Sequence, residues 1–291
     1  MQRSLLRETL LVVTSLICFA ANSLLCRMAL RPGLIDAPSF MNIRLASGAL
    51  VLTLLAGRGA ASAGDARSRG GGRGPLREGT FRGALWLAFY AVTFSFAYLR
   101  LPAGAGALIL FGVVQLTMTG WGLLRGERPV PLEWLGHALA FAGLLVLTLP
   151  GLSAPDPRGA LLMTCAGVGW AFYSLHGRAA KSAVASNAGH FLRALPFTLL
   201  VSAVTFGSAH LELRGLLLAL ASGVVASGLG YVIWYSALKS LSSTQAGIVQ
   251  LAVPAIAAAG GVLLLGESLS PRLLGAGAAI LVGILVAKLS H

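Results

Sequence analysis

Side chains that place hydrogen-bonding or charged groups inside long apolar runs of this sequence include Asn22, Arg44, Tyr90, Gln115, Tyr173, Arg193, Tyr231, Trp234 and Gln250. An amide can hold an ammonium or a carboxylate without carrying a charge of its own into lipid. Tyrosine and tryptophan add a polar tip to an aromatic face that suits apolar side chains or cations. The chemistry these types suggest is reversible binding of a small polar solute, with Asn22, Tyr90, Gln115, Tyr173, Tyr231, Trp234 and Gln250 as the substrate-binding candidates. Each of them serves equally as a hydrogen bond between membrane helices, worth about 0.6 kcal/mol. Arg44 and Arg193 either attract a carboxylate substrate or extend to lipid phosphates, and the second is the expectation. Tyr98, Trp134 and Tyr235 lie near the ends of their runs and read as interfacial belt residues.

The nine acids are Glu8, Asp36, Asp65, Glu78, Glu127, Glu133, Asp156, Glu212 and Glu267, and none falls in the middle of an apolar run. A proton- or sodium-coupled carrier often relies on a buried carboxylate, so the simpler reading is a facilitative one. His137 and His176 titrate near neutral pH when unperturbed, but their positions near run ends make them loop-facing rather than relay groups. No metal-ligand spacing, phosphate loop or Ser/His/Asp set is present, so no metal, no cofactor and no enzyme activity is expected. Cys18, Cys26 and Cys165 lie within or at the ends of apolar runs and make no disulfide framework.

The elements that must hold these residues follow from composition. The 291 residues are 56% hydrophobic and 11% charged, with a mean hydropathy of +0.82, whereas a soluble domain carries about 25% charge. Splitting the chain at its charges leaves ten runs near the roughly 20 residues that cross a bilayer: 6–28, 38–57, 82–100, 103–124, 132–150, 158–178, 189–208, 214–237, 242–265 and 271–289. Continuous apolarity predicts helices, since barrel strands alternate. The first run has the layout of a secretory signal peptide, with Arg3 and Arg7 before it and FAANS at its end. Its likeness to the sixth run argues for a retained helix. With the N-terminus cytoplasmic, 14 Lys and Arg fall inside and six outside, so both termini read as cytoplasmic in an inner membrane. The Arg- and Gly-rich stretch 58–81 reads as a flexible cytoplasmic loop near anionic lipid, and the net charge of +13 needs no nucleic acid.

Self-comparison reveals a repeat. Residues 108–147 lie over 248–287 at an offset of 140, matching Gly120 with Gly260, Glu127 with Glu267, Pro131 with Pro271 and Gly143 with Gly283. CFAANSLLCR (18–27) lies over GWAFYSLHGR (169–178), which matches Ser23 with Ser174 and Arg27 with Arg178, and Arg44 corresponds to Arg193. The chain thus divides into halves 1–150 and 151–291 of five spans each, and an odd number gives the halves opposite orientation. Inverted repeats suit a carrier that rocks two similar halves around one site. Gly228, Gly230 and Pro254 are the candidate hinges.

These features, with GYVIWYSALKSLSSTQAGIVQLAVPAIAAAGGVLLLGE (230–267) and the closing LLGAGAAILVGILV, resemble the drug/metabolite transporter superfamily in its EamA-type ten-helix branch. The chain departs from that pattern at Val114 and Gln115, where the family usually has a proline. The resemblance implies an all-α bundle of ten transmembrane helices moving small organic solutes by alternating access, in some members exporting amino acids. Its partners are then a small-molecule substrate and the bilayer, in a monomer or dimer. The alternatives are a proton-coupled multidrug or cation efflux carrier, a passive channel, and an intramembrane enzyme or lipid-handling protein.

Overall fold

Apolar runs this long cannot leave backbone N–H and C=O groups unpaired in lipid, and helices are the local solution. The computed structural model describes residues 2–62, 78–128, 130–148, 154–205, 209–250 and 252–288. The helices are α1 (Gln2–Leu30), α2 (Ala37–Ser62), α3 (Phe81–Tyr98), α4 (Ala103–Leu124), α5 (Pro131–Thr148), α6 (Pro157–Gly177), α7 (Ala183–Val204), α8 (Leu213–Ser240), α9 (Ser243–Val249), α10 (Ala252–Leu265) and α11 (Pro271–Lys288). Within α8, Ser222–Leu229 is π-helical. Among the described residues no strand forms, and a lone bridge pairs Ile35 with Leu211. Most of the stretch read as a loop over 58–81, namely 63–77, lies outside the described residues.

Side-chain caps set where several helices start. Thr80 Oγ1 accepts from Gly83 N at 3.1 Å, and Asp156 Oδ1 accepts from Gly159 N at 2.7 Å beside a proline in the first turn. Ser242 and Gln245 form a reciprocal capping box at α9, which satisfies two orphan N–H groups at once. Ser182 Oγ accepts from Ala185 N at 3.2 Å, so α7 begins at Ala183, six residues before the run expected at 189. The ends of α4 and α10 are built alike. Gly126 (φ 89°) and Gly266 (φ 60°) each take the left-handed conformation that lets a helix stop and turn its next N–H back onto the last turn. Glu127 N then reaches Gly122 O at 2.9 Å and Glu267 N reaches Gly261 O at 3.0 Å.

The missing proline has a visible effect. At Val114 the chain keeps its N–H, and α4 runs unbroken from Ala103 to Leu124. At the matching Pro254 there is no N–H to donate; α9 ends at Val249, and Pro254 lies in the first turn of α10, where a missing donor costs nothing.

Polarity is arranged inside out. Leu10, Leu50, Leu54, Leu161, Leu200, Val204 and Leu263 are among the exposed large apolar side chains, while Asn22, Arg44, Gln115, Asn187, His190 and Gln250 are buried. A soluble monomer rarely exposes so much apolar surface; lipid explains it, and the chain is a multi-pass membrane protein. By length and composition five helices reach across a bilayer among the described residues: Leu6–Leu30, Ala37–Arg58, Ala103–Leu124, Leu213–Ser240 and Ser243–Leu265. Pro131–Leu147 and Pro271–Gly283 are shorter apolar helices. The main pairings are α5 on α11, α2 on α7, α3 on α6 and α7, α8 on α1 and α2, and α4 on α6, α9 and α10, with α10 also against α1.

Candidate functional site

Four helices converge on one buried polar centre. Arg44 of α2 is fully buried. Its Nε donates to Ser227 Oγ at 2.9 Å and its Nη2 to Tyr231 OH at 2.7 Å, both on α8. The guanidinium carbon lies 5.2 Å from the Tyr90 ring centroid and 5.1 Å from that of Phe94, on α3, a distance at which the ring quadrupole attracts a cation. Nη1 has no hydrogen-bond partner. Nor does an acid neutralise it: the ion pairs among the described residues are Arg27–Glu267, Arg100–Asp156 and His210–Glu212. An uncompensated buried charge is expensive.

Asn22 of α1 completes the centre. Its Nδ2 donates to Tyr90 OH at 3.1 Å and its Oδ1 accepts from Ser222 Oγ at 2.6 Å, while Tyr231 OH donates to Tyr90 OH at 3.4 Å. The wider π-helical turns of α8 put Ser222 and Ser227 on the same side of the helix, both within 3.5 Å of Asn22 Oδ1. Such π segments recur at functional sites. Gly223 makes the approach possible, because a Cβ there would overlap Ser47 Oγ and the Arg44 carbonyl oxygen.

Aromatic rings wall this centre. Trp170 sits 4.6 Å from Tyr231, 5.1 Å from Tyr90 and 5.0 Å from Phe19 by ring centroid. Tyr173 lies 5.9 Å from Tyr231, and Trp234 lies 5.5 Å from Phe19. Gln250 Oε1 accepts from Trp170 Nε1 at 2.6 Å, Trp234 Nε1 donates to Ser174 Oγ at 3.1 Å, and Tyr173 OH donates to Asn187 Oδ1 at 2.5 Å.

The sequence candidates therefore divide. Asn22, Tyr90 and Tyr231 meet at Arg44, and Tyr173, Trp234 and Gln250 join through ring contacts and Trp170. Gln115 belongs to another cluster, with its Nε2 3.2 Å from both Thr119 Oγ1 and His137 Nε2. Arg193 folds back on the Gly189 carbonyl of its own helix at 3.4 Å. Gly228 lies in the π segment and Gly230 just after it, where a Cβ would meet Cys18 Cβ at 2.7 Å. Arg44 does not extend to headgroups, because Ser227 and Tyr231 offer acceptors at depth. Tyr98 and Tyr235 are no belt residues. Both are fully buried, with their hydroxyls donating to Ala103 O at 3.4 Å and Tyr173 O at 3.2 Å. Trp134 does face outward, at 52% exposure. His137 is buried rather than loop-facing, because Glu133 O lies 2.5 Å from Nδ1 and Thr119 Oγ1 2.8 Å from Nε2. His176 is half-buried, its Nδ1 on Phe172 O at 2.8 Å.

Trp170, Ser222, Ser227, Asn187 and His190 were not singled out by sequence reasoning. Trp170 had a signal, an indole in the middle of an apolar run between small residues. The two serines had none, since a π turn leaves no readable period.

Residues 157–289 match the EamA-like transporter family. The chain is 50% identical over 278 residues to an uncharacterised protein of Pseudomonas aeruginosa, covering 96% of this chain and 93% of that one. It is 34% identical over 176 residues to the threonine/homoserine exporter RhtA of Escherichia coli K12, spanning 57% of this chain and 59% of the exporter. It is 28% identical over 222 residues to a probable amino-acid metabolite efflux pump of Salmonella typhimurium, spanning 69% of this chain and 73% of the pump. A solved crystal structure has the same fold at a TM-score of 0.68 and 22% identity, covering 96% of this chain and 98% of that one.

Proposed function

Because the chain belongs to the EamA-like transporter family, and so is a membrane transporter, we propose that it is an inner-membrane carrier exporting amino acids by alternating access. The observation that carries this reading is Arg44, buried with Nη1 unpartnered and no acid beside it. A substrate carboxylate would take that free edge as a charge-assisted bond. The polar groups of Asn22 and Tyr231 would meet the substrate ammonium, and the rings of Trp170, Phe19 and Tyr173 that pack around the centre would meet its side chain. The names of the exporter and the efflux pump point the same way. A cation efflux carrier would meet a fixed positive charge at this centre, where it needs a carboxylate.

Ten spans in two inverted halves are part of this proposal. What supports them is that packing comes in related couples: α3 lies on α6 as α8 lies on α1, and α3 on α7 as α8 on α2. The helices α2 with α7, α4 with α9 and α10, and α5 with α11 pair with their own counterparts. Contacts between helix ends also sort into two groups. Arg27 Nε meets Glu267 Oε1 at 3.3 Å, and Glu267 Oε2 accepts from Ala103 N at 2.9 Å. At the other end Glu127 Oε2 accepts from Thr244 Oγ1 at 2.7 Å, but Arg178 bonds Ser243 Oγ and Leu241 O instead of Glu127. The Arg–Glu pair forms at one end, and at the repeat-related end the Arg and the Glu bond other groups instead; two ends in different bonding states suit a carrier that alternates between its faces.

The carrier is facilitative in this reading, since Glu127, Glu133 and Glu267 lie at helix ends and accept hydrogen bonds there. The test is uptake into proteoliposomes of L-threonine, L-homoserine, L-phenylalanine and a quaternary ammonium dye. Saturable amino-acid uptake, stimulated by the same amino acid on the far side and indifferent to an uncoupler, is expected. Flux linear in concentration, or dye uptake alone, would overturn the reading.

A further inference from the structure

The end that holds Arg178 and Glu127 carries a cavity of about 230 Å³ lined by Glu78, Thr80, His176, Lys181, Ser186 and His190. Glu78 and Lys181 face this common space, yet among the described residues neither takes part in an ion pair. Opposite charges that share a cavity and stay apart leave each free for a ligand that bears both. His190 adds a second observation. Its ring is 3% exposed, Nε2 lies 3.4 Å from Thr80 Oγ1, and Nδ1 has no partner, a condition that buried polar atoms seldom tolerate. The missing Cβ of Gly83 lets α3 close over this ring, and Gly79 lies against the backbone of Gly189, so a Cβ there would come 2.6 Å from the Gly189 carbonyl carbon.

A line of packed rings runs from the cavity wall toward the centre. The His190 ring is 5.5 Å from that of Tyr173, Tyr173 is 5.9 Å from Tyr231, and Tyr231 OH holds Arg44. At the opposite end Arg27 ties Glu267 to the Tyr98 carbonyl oxygen, which accepts from Arg27 Nη1 at 2.8 Å.

Deepening the carrier reading and resting on it for the substrate class, we propose that this cavity is a loading station for zwitterionic α-amino acids, separate from the Arg44 centre. Lys181 takes the carboxylate, Glu78 takes the ammonium, and His190 stands at the inner wall where the solute passes to Tyr173. A station built of two weak, solvent-reached charges binds loosely and releases forward, as a first stop on a path requires.

The test places a reporter in the cavity wall. Ala180→Cys, which lines the same space, is labelled with a maleimide in detergent, and labelling is read site by site by peptide mass spectrometry so that Cys18, Cys26 and Cys165 do not interfere. L-Threonine should slow labelling at position 180, whereas propionate and ethylamine, each with one of the two charges, should need at least tenfold higher concentrations. Protection should survive Arg44→Gln, and Glu78→Gln with Lys181→Gln should raise the half-protecting concentration about tenfold or more. Protection lost with Arg44→Gln, unchanged by the double variant, or absent for L-threonine in both Ala180→Cys and the neighbouring Ala179→Cys overturns the station. Protection without any amino-acid flux in proteoliposomes would leave the station standing and overturn the carrier reading instead.

Discussion

In the proposed carrier, Arg44 is the side chain that meets the substrate carboxylate. A charge-assisted bond to a carboxylate is worth about 1.5–3 kcal/mol, so Arg44→Gln should weaken amino-acid transport about tenfold to a hundredfold. Arg44→Met should leave the purified protein as stable as the parent or more stable, because it removes a buried charge with no counterion. A melting curve in detergent beside a flux assay checks both, and a variant that melts earlier but transports normally would make Arg44 a structural residue. Asn22→Ala should lower transport while costing about 0.6 kcal/mol of stability. The amides and phenols of the centre were legible as types, because polar groups in apolar runs are few. The depth of Arg44 was not. Its partners Ser227 and Tyr231 come from 183 and 187 residues along the chain, and no local rule of snorkelling accounts for acceptors brought from there.

At the scale of elements, the helices follow from apolar runs, caps and glycines that the sequence displays. The π-helical middle of α8 did not follow from any period. It depends on tertiary packing, above all on Gly223 against Arg44 and Ser47. Gly223→Ala should therefore cost about 1–3 kcal/mol, the usual range for overpacking, whereas Gly275→Ala, with nothing within 4 Å of the added carbon inside α11, should stabilise by up to about 1 kcal/mol through helix propensity. Comparison of their thermal midpoints checks this. The turn before α2 gives a pH signature outside the membrane-spanning helices. Burial pushes the Asp36 carboxyl up, but N–H donors from His210 and Ser39 outweigh it and hold the group below its ordinary value of 3.8. A carboxylate depressed in the folded state stabilises it above that ordinary value and loses the contribution as pH falls through the folded one. Stability of the parent should thus drop on acidification below about pH 4 more steeply than that of Asp36→Asn.

For the whole molecule, matched residues in the two halves of the sequence were readable, while the pairing of Arg27 with Glu267 and its absence between Arg178 and Glu127 were not, since similar residues at the two ends do not say which of them meet. Glu267→Gln should open the end that Arg27 ties, raising maleimide labelling of cysteines introduced there; Glu127→Gln should change that labelling little. Equal effects of the two would argue against opposed gates. The central claim is that an amino acid crosses by binding at Arg44 in a carrier open to one side at a time. The measurement closest to it is counterflow of radiolabelled L-threonine in proteoliposomes preloaded with the unlabelled solute, run on the parent and on Arg44→Gln. Transient accumulation above the outside concentration in the parent, and its loss in a variant that still folds and melts normally, is the predicted result. Equal counterflow in both proteins would contradict the account.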